Sequence, residues 1–182
     1  DRELRPHIRL SDCTQFVDGA SAVVLATEAG LRAFGRSKTD CTEVLSYGHS
    51  VAALGGETDP TFLTNMHRAA CRAYADANVS AGQIDLAEVH DCFSINELQM
   101  YEALSLCGRG EGYQLLADGH TQISGRIPVN TGGGLIGFGH PIGATGVKQV
   151  VEIWRQMKGR CGRYQVDGNM DHAVTGLSLI HI

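Results

Sequence analysis

The chain has 182 residues, a net charge of −5, 43% hydrophobic and 19% charged residues, so a core burying roughly 70% of the unfolded surface is expected. An acidic balance without a basic run excludes nucleic acid as the main partner, and no apolar stretch approaches the roughly 20 residues of a membrane span. The six cysteines, Cys13, Cys41, Cys71, Cys92, Cys107 and Cys161, show no C-x-x-C spacing, which excludes a zinc ribbon or thioredoxin-like motif and reads as reduced thiols of an intracellular protein.

The chain opens at Asp1 without methionine, as a piece of a longer protein would. Ala20 to Ala26 is rich in Ala, Val and Leu and predicts a strand buried on both faces. Glu43 to Tyr47 predicts a second strand, leading into a glycine-rich loop, Leu54 to Glu57. A helix is then expected, capped by Asp59 with Pro60 in its first turn. Phe62, Leu63, Met66, Ala69, Ala70, Ala73, Tyr74 and Ala77 trace its buried face. Leu86 to His90 predicts a strand, followed by a helix that opens at Ser94 with Glu97 completing a capping box. Leu98, Tyr101 and Leu104 form its apolar stripe. Gly108 to Gly125 reads as a polar surface excursion.

A third unit has a strand at Ile127 to Asn130, a long glycine loop, and a helix from about Gly143 to Met157 burying Val147, Val150, Val151 and Trp154. Val174 to Leu179 predicts a further strand. Alternating strands and helices imply an α/β fold with a mixed, mostly parallel sheet flanked by helices.

In such folds ligands bind beyond the carboxyl ends of the strands. Two segments fall there. One is His90-Asp91-Cys92-Phe93. The other runs from Val129 to Gly146 and holds seven glycines, which let backbone approach a ligand closely. Within it His140 precedes Pro141 at the start of a helix, where the positive dipole end disfavours imidazolium. A neutral imidazole accepts a thiol proton or donates to a developing oxyanion. Taken singly, Cys92 also reads as a small buried hydrophobe, His90 as a satisfied core histidine, and the glycine run as a phosphate cradle. Gly132-x-Gly134-x-x-Gly137 matches a dinucleotide fingerprint only weakly and lacks its downstream acid. No metal ligand set stands out.

Gly139-His140-Pro141-Ile142-Gly143-Ala144-Thr145-Gly146 resembles the Gly-His-Pro signature of thiolases. His90-Asp91-Cys92-Phe93 resembles that family's Asn-Glu-Ala-Phe block, in the form of its sterol-carrier-protein-x type branch. Asp18-Gly19-Ala20-Ser21-Ala22 is similar to the segment ending the family's first domain. The three occur in family order, so the resemblance covers Ser11 to Val166 and implies the C-terminal half of a thiolase. It places residues 1–36 at the end of an N-terminal domain, contributing its last strand, and residues 37–182 in the C-terminal domain.

The resemblance also implies roles. His140 would activate a nucleophilic cysteine and help form an oxyanion hole. His90 would replace the asparagine that holds an oxyanion-hole water, and Cys92 would serve as acid and base. Coenzyme A thioesters would be substrates rather than cofactors; the parent would be a homodimer. Two departures bear on activity. The family's acyl-accepting cysteine belongs to an N-terminal half outside this sequence, and nothing after Thr175-Gly176 matches its final glycine-rich loop. The isolated chain is therefore expected to be inactive. A thiolase-like acyl-CoA or lipid-binding module without catalysis, and a ketoacyl-synthase relative, remain alternatives. Chain length, reaction direction, and the choice among peroxisome, mitochondrion and cytoplasm stay open.

Overall fold

The computed structural model describes residues 2–53 and 59–178. The expected loop Leu54 to Glu57 and the end of the last expected strand, Leu179, lie outside those residues. A small antiparallel hairpin, β1 (Glu3–Arg5) and β2 (Ile8–Arg9), is followed by a short helix α1 (Glu28–Ala33). Helix α2 (Thr64–Ala77), strand β3 (Leu86–Val89), helices α3 (Ser94–Ala103), α4 (Gly112–Ala117), α5 (Gly134–Phe138) and α6 (Ile142–Met157), and strand β4 (Ala173–Gly176) complete the order.

β3 is the centre of the α/β unit. It pairs in parallel with β4, Leu86 opposite Ala173 through Val89 opposite Gly176. On its other edge Val129 forms a parallel bridge to Ala87, with Ala87 N donating to Pro128 O and Asn130 N to Ala87 O, each at 3.0 Å. Side chains alternate across the strand. Ala87 and Val89 join Met100, Tyr101, Leu104, Ala70 and Ile127 under α2 and α3, while Leu86 packs with Ile153 and Val166 under α6. The sheet therefore lies between α2 and α3 on one face and α6 on the other.

Several local expectations are corrected. Ala20 to Ala26 forms no strand, and Val24 and Leu25 are 91% and 78% exposed. Its apolar residues favour a strand, but a strand needs a hydrogen-bonding neighbour, and among the described residues none pairs with it. Glu43 to Tyr47 likewise forms no strand and is tied to α2 by Ser46 Oγ donating to Ala73 O at 2.6 Å. Asp59 does not cap α2. It accepts from Thr61 N and Oγ1, making a local turn, and the helix begins at Thr64. The apolar stripe of α2 holds, with Ala69 and Ala70 buried.

Glu97 forms no capping box. It accepts from Tyr101 Oη, and from Asn130 Nδ2 at 3.4 Å, while Ser94 Oγ reaches Asp12 Oδ1 at 3.0 Å. The surface excursion contains α4, whose Leu115 is buried. In α6 the face turned to the sheet is not the valine stripe. Ala144, Thr145, Gln149, Glu152, Ile153 and Gln156 are buried there, and Val147, Val150, Val151 and Trp154 are half-buried. The glutamines turn inward because partners wait for them. Gln156 Nε2 donates to Tyr164 O at 2.8 Å and its Oε1 accepts from Val166 N at 3.0 Å, and Gln149 Oε1 accepts from Thr175 Oγ1 at 3.0 Å.

Candidate active site

The carboxyl end of β3 and the glycine loop meet in one place. His90, 4% exposed, follows β3, and His140, 6% exposed, lies just before α6. Their Nε2 atoms are 3.4 Å apart, with ring centroids at 5.1 Å and planes tilted by 59°. The hydrogen-bond network assigns the tautomers. Thr145 Oγ1 donates its proton to Pro141 O at 3.2 Å, so at 2.7 Å it accepts from His140 Nδ1–H. His140 Nε2 then carries the lone pair, and His90 Nε2–H points at it. His90 Nδ1 is buried without a hydrogen-bond partner, and the Ser178 backbone favours the charged form of the ring.

Both rings are biased toward neutrality. Burial lowers the pKa of His90, with the charge of His140 adding to it. Burial also lowers that of His140, partly offset by Asp91. Desolvation rather than the helix dipole is thus the leading cause. Cys92, half-buried in the turn after His90, has its thiol pushed up, first by burial, so it holds its proton at neutral pH. Among the described residues no hydrogen bond joins Cys92 Sγ to either histidine. All three expected site residues therefore lie on the two loops that meet here, His90 and His140 in direct contact.

Residues that sequence reasoning left without a role hold these loops. Asp91, 2% exposed, accepts from Leu135 N at 2.7 Å and Ile136 N at 3.2 Å, placing a carboxylate at the free amides that open α5. Burial raises its pKa and those two amides oppose the rise. Asn130, in the left-handed region at φ 48°, accepts from Val89 N at 2.8 Å. Its side chain thereby takes the place of a strand neighbour just where the sheet opens into the site. Its place between His90 and Cys92 at a strand end was the available signal for Asp91; nothing local pointed to Asn130.

The N-terminal segment straps the two loops together. Thr14 N donates to Cys92 O at 3.0 Å, Thr14 Oγ1 donates to Leu135 O at 2.7 Å, and His140 N donates to Gln15 O at 2.9 Å. Replacing Thr14 by valine keeps the shape and removes the hydroxyl, leaving Leu135 O a poorer acceptor environment at a cost of about 1 kcal/mol. Amide hydrogen exchange from Leu135 to His140 is expected to quicken, with β3 unchanged; equal exchange in both forms would show that the strap does not restrain the loop.

Among the described residues, no group of three or more His, Cys, Asp or Glu side chains is placed to hold a metal ion, and no helix is long and apolar enough to cross a membrane. The arrangement offers a proton acceptor, an imidazole N–H donor and a protonated thiol at a strand end.

Residues 46–179 match the family model described as thiolase C-terminal domain-like. The chain is similar to an acetyl-CoA acetyltransferase of Methanothermobacter thermautotrophicus, 39% identical over 175 residues, covering 93% of this chain and 45% of that protein. It is 35% identical to sterol carrier protein 2 of Homo sapiens over 92% of this chain and 31% of that protein. Against benzoylsuccinyl-CoA thiolase subunit BbsB of Thauera aromatica it is 32% identical, over 88% of this chain and 41% of that protein. The chain thus spans between about a third and a half of these relatives' length. Among solved structures, an Ltp2-ChsH2(DUF35) aldolase chain superposes with a TM-score of 0.63 at 24% identity, over 71% of this chain and 34% of that one, a likeness of fold.

Proposed function

The chain belongs to the thiolase family, as its C-terminal domain, and from that premise we propose that its parent protein transfers acyl groups between coenzyme A thioesters, by thiolysis of 3-ketoacyl-CoA or the reverse Claisen condensation. The observation that carries this reading is the buried His90–His140 pair, with His140 held by Thr145 in the tautomer that leaves Nε2 unprotonated and facing His90 Nε2.

The chemistry follows from those atoms. His140 Nε2 takes the proton of a cysteine thiol supplied by the rest of the parent, and the resulting thiolate attacks the 3-keto carbonyl in thiolysis, or the thioester carbonyl of the acyl donor in condensation. The imidazolium so formed and His90 Nε2–H then face the oxygen on which negative charge develops. A neutral resting pair suits this order of events, because a histidine charged beforehand could not accept the proton. Cys92, protonated at rest, is suited to give a proton to the departing carbanion in thiolysis. In condensation its thiolate takes the α-proton back. Coenzyme A enters as a substrate.

The names of the relatives support the same substrate class: an acetyltransferase and a thiolase subunit, both acting on coenzyme A thioesters by their printed names. The test uses the native-length parent, incubated with a 3-ketoacyl-CoA and coenzyme A, with mass spectrometry of the acyl-CoA pool. Appearance of a product shortened by two carbons together with acetyl-CoA is the expected outcome. Tight binding of acyl-CoA without cleavage would instead favour a non-catalytic acyl-CoA or lipid-binding module.

A further inference from the structure

The interface between β3 and α6 carries charge where a core would ordinarily be apolar. Glu88, 1% exposed, sits on the face of β3 turned to α6. Its Oε1 and Lys148 Nζ of α6 are both buried, and neither has a hydrogen-bond partner among the described residues. Unpartnered buried polar atoms are rare enough to need a reason. Lys148 Nζ stands 4.4 Å from the centroid of the Phe138 ring, at the last residue of α5. It also acts electrostatically on both Glu88 and Asp91, favouring the ionised form of each. Asp91 in turn holds the first amides of α5. One ammonium therefore lies over the ring that ends the loop helix and acts electrostatically on the acid that grips its beginning.

We propose that Lys148 is a positioning residue for the glycine loop: its buried ammonium, lodged against Phe138 and opposite Glu88 and Asp91, holds α5 on Asp91 and so fixes His140 two residues beyond it. As a role in catalysis this rests on the reading of His140 given above; as a statement about the loop it does not.

The charged groups acting on Glu88 are Lys148 and Glu152 of α6, Asp91 of the turn after β3 and, across the sheet, Glu97 of α3. Burial pushes the Glu88 carboxyl up to about 8, while Lys148 pulls it down. Glu152 is itself engaged by Arg155 at 3.5 Å and by Tyr164 Oη at 3.2 Å, and Glu97 by Tyr101 and Asn130. At neutral pH Glu88 is thus protonated, and the ammonium acts chiefly on Asp91. As pH rises through about 8 Glu88 ionises, two carboxylates compete for one cation, and the grip on α5 weakens. Above that pH a like charge is added beside Asp91, which is the unfavourable direction for the loop.

Amide hydrogen exchange of this chain tests the idea without substrate. In the unmodified chain, protection of the Leu135 and Ile136 amides, corrected for intrinsic rates, is expected to fall by about tenfold as pH is raised from 7 to 9, one decade corresponding to one pKa unit of lost interaction. Glu88→Gln, isosteric with the protonated acid, should match the unmodified chain at pH 7 and keep its protection at pH 9. Lys148→Met should lose protection at both pH values. If Lys148→Met does not fold, the Glu88→Gln comparison carries the test alone. Parallel pH profiles in the unmodified chain and Glu88→Gln would overturn the proposal, as would wild-type protection in a folded Lys148→Met. In the parent, Glu88→Gln should flatten the alkaline fall of kcat with KM unchanged. A parent without thiolysis would sink the functional reading and leave the exchange result to decide the role of Lys148.

Discussion

In the native-length parent, His140→Ala is expected to lower thiolysis by at least about 100-fold, the loss typical of a general acid or base and equal to about 2.7 kcal/mol of transition-state stabilisation. The reason lies in a single atom. His140 Nε2 is the acceptor at the site, since Nδ1 is committed to Thr145, and alanine leaves no group there to take a thiol proton. The loss should fall on kcat rather than KM, because the ring is 6% exposed and offers a bound substrate little surface. Cys92→Ala should fall by a similar factor, for want of the proton that its raised pKa keeps on the sulfur. Single-turnover measurement in the condensation direction separates the two: acyl-enzyme formation from an acyl-CoA should fail in the first variant and persist in the second, whose loss should fall on removal of the α-proton. Near-normal rates in either would remove that residue from the mechanism.

Gly134→Ala is expected to be the most damaging change in the glycine loop. A Cβ there would lie 2.2 Å from Asp91 Oδ2 and 2.7 Å from its Cγ, and the backbone stands at φ +57°. The left-handed backbone costs a side chain about 1–2 kcal/mol, and forcing atoms into a packed site costs about 1–3 kcal/mol more. Asp91 cannot swing aside, because it is 2% exposed and its oxygens hold Leu135 N and Ile136 N. The melting temperature should drop by about 5–15 °C on the scale for chains of this size. Gly137→Ala is the internal control. Nothing lies within 4 Å of its added Cβ and its φ is not in the left-handed region, so its melting temperature should stay close to that of the unmodified chain. Equal melting of the two variants would mean that the contact between Asp91 and the loop is not a stabilising one.

Much of the fold was legible locally. The β3 strand, the apolar stripe of α2 and the extent of α6 followed from periodicity and from short apolar runs. His90, Cys92 and His140 stood out because reactive side chains were set at a strand end and at the head of a helix. The capping errors share one origin, which is that a side chain with the spacing of a cap had another hydrogen-bonding partner within reach. Glu97 had the spacing of a capping box, yet the phenol of Tyr101 and the amide of Asn130 offered a buried carboxyl better partners than an exposed backbone amide would. Asp59 had the position of a helix cap but closed a turn with Thr61 instead.

By itself the sequence determined the kind of layer fold, the family, and the residue types at the two loops, since these depend on side-chain order along one element at a time. Tertiary structure alone decided which side of α6 faces the sheet, that Asp91 grips α5, and that Thr14 ties Leu135 across a separation of 121 residues. It also decided that the two imidazoles touch. The physical reason is that periodicity reports where apolar surface lies, whereas a buried polar group goes wherever its unpaired partner is, and that partner is placed by the folding of another part of the chain.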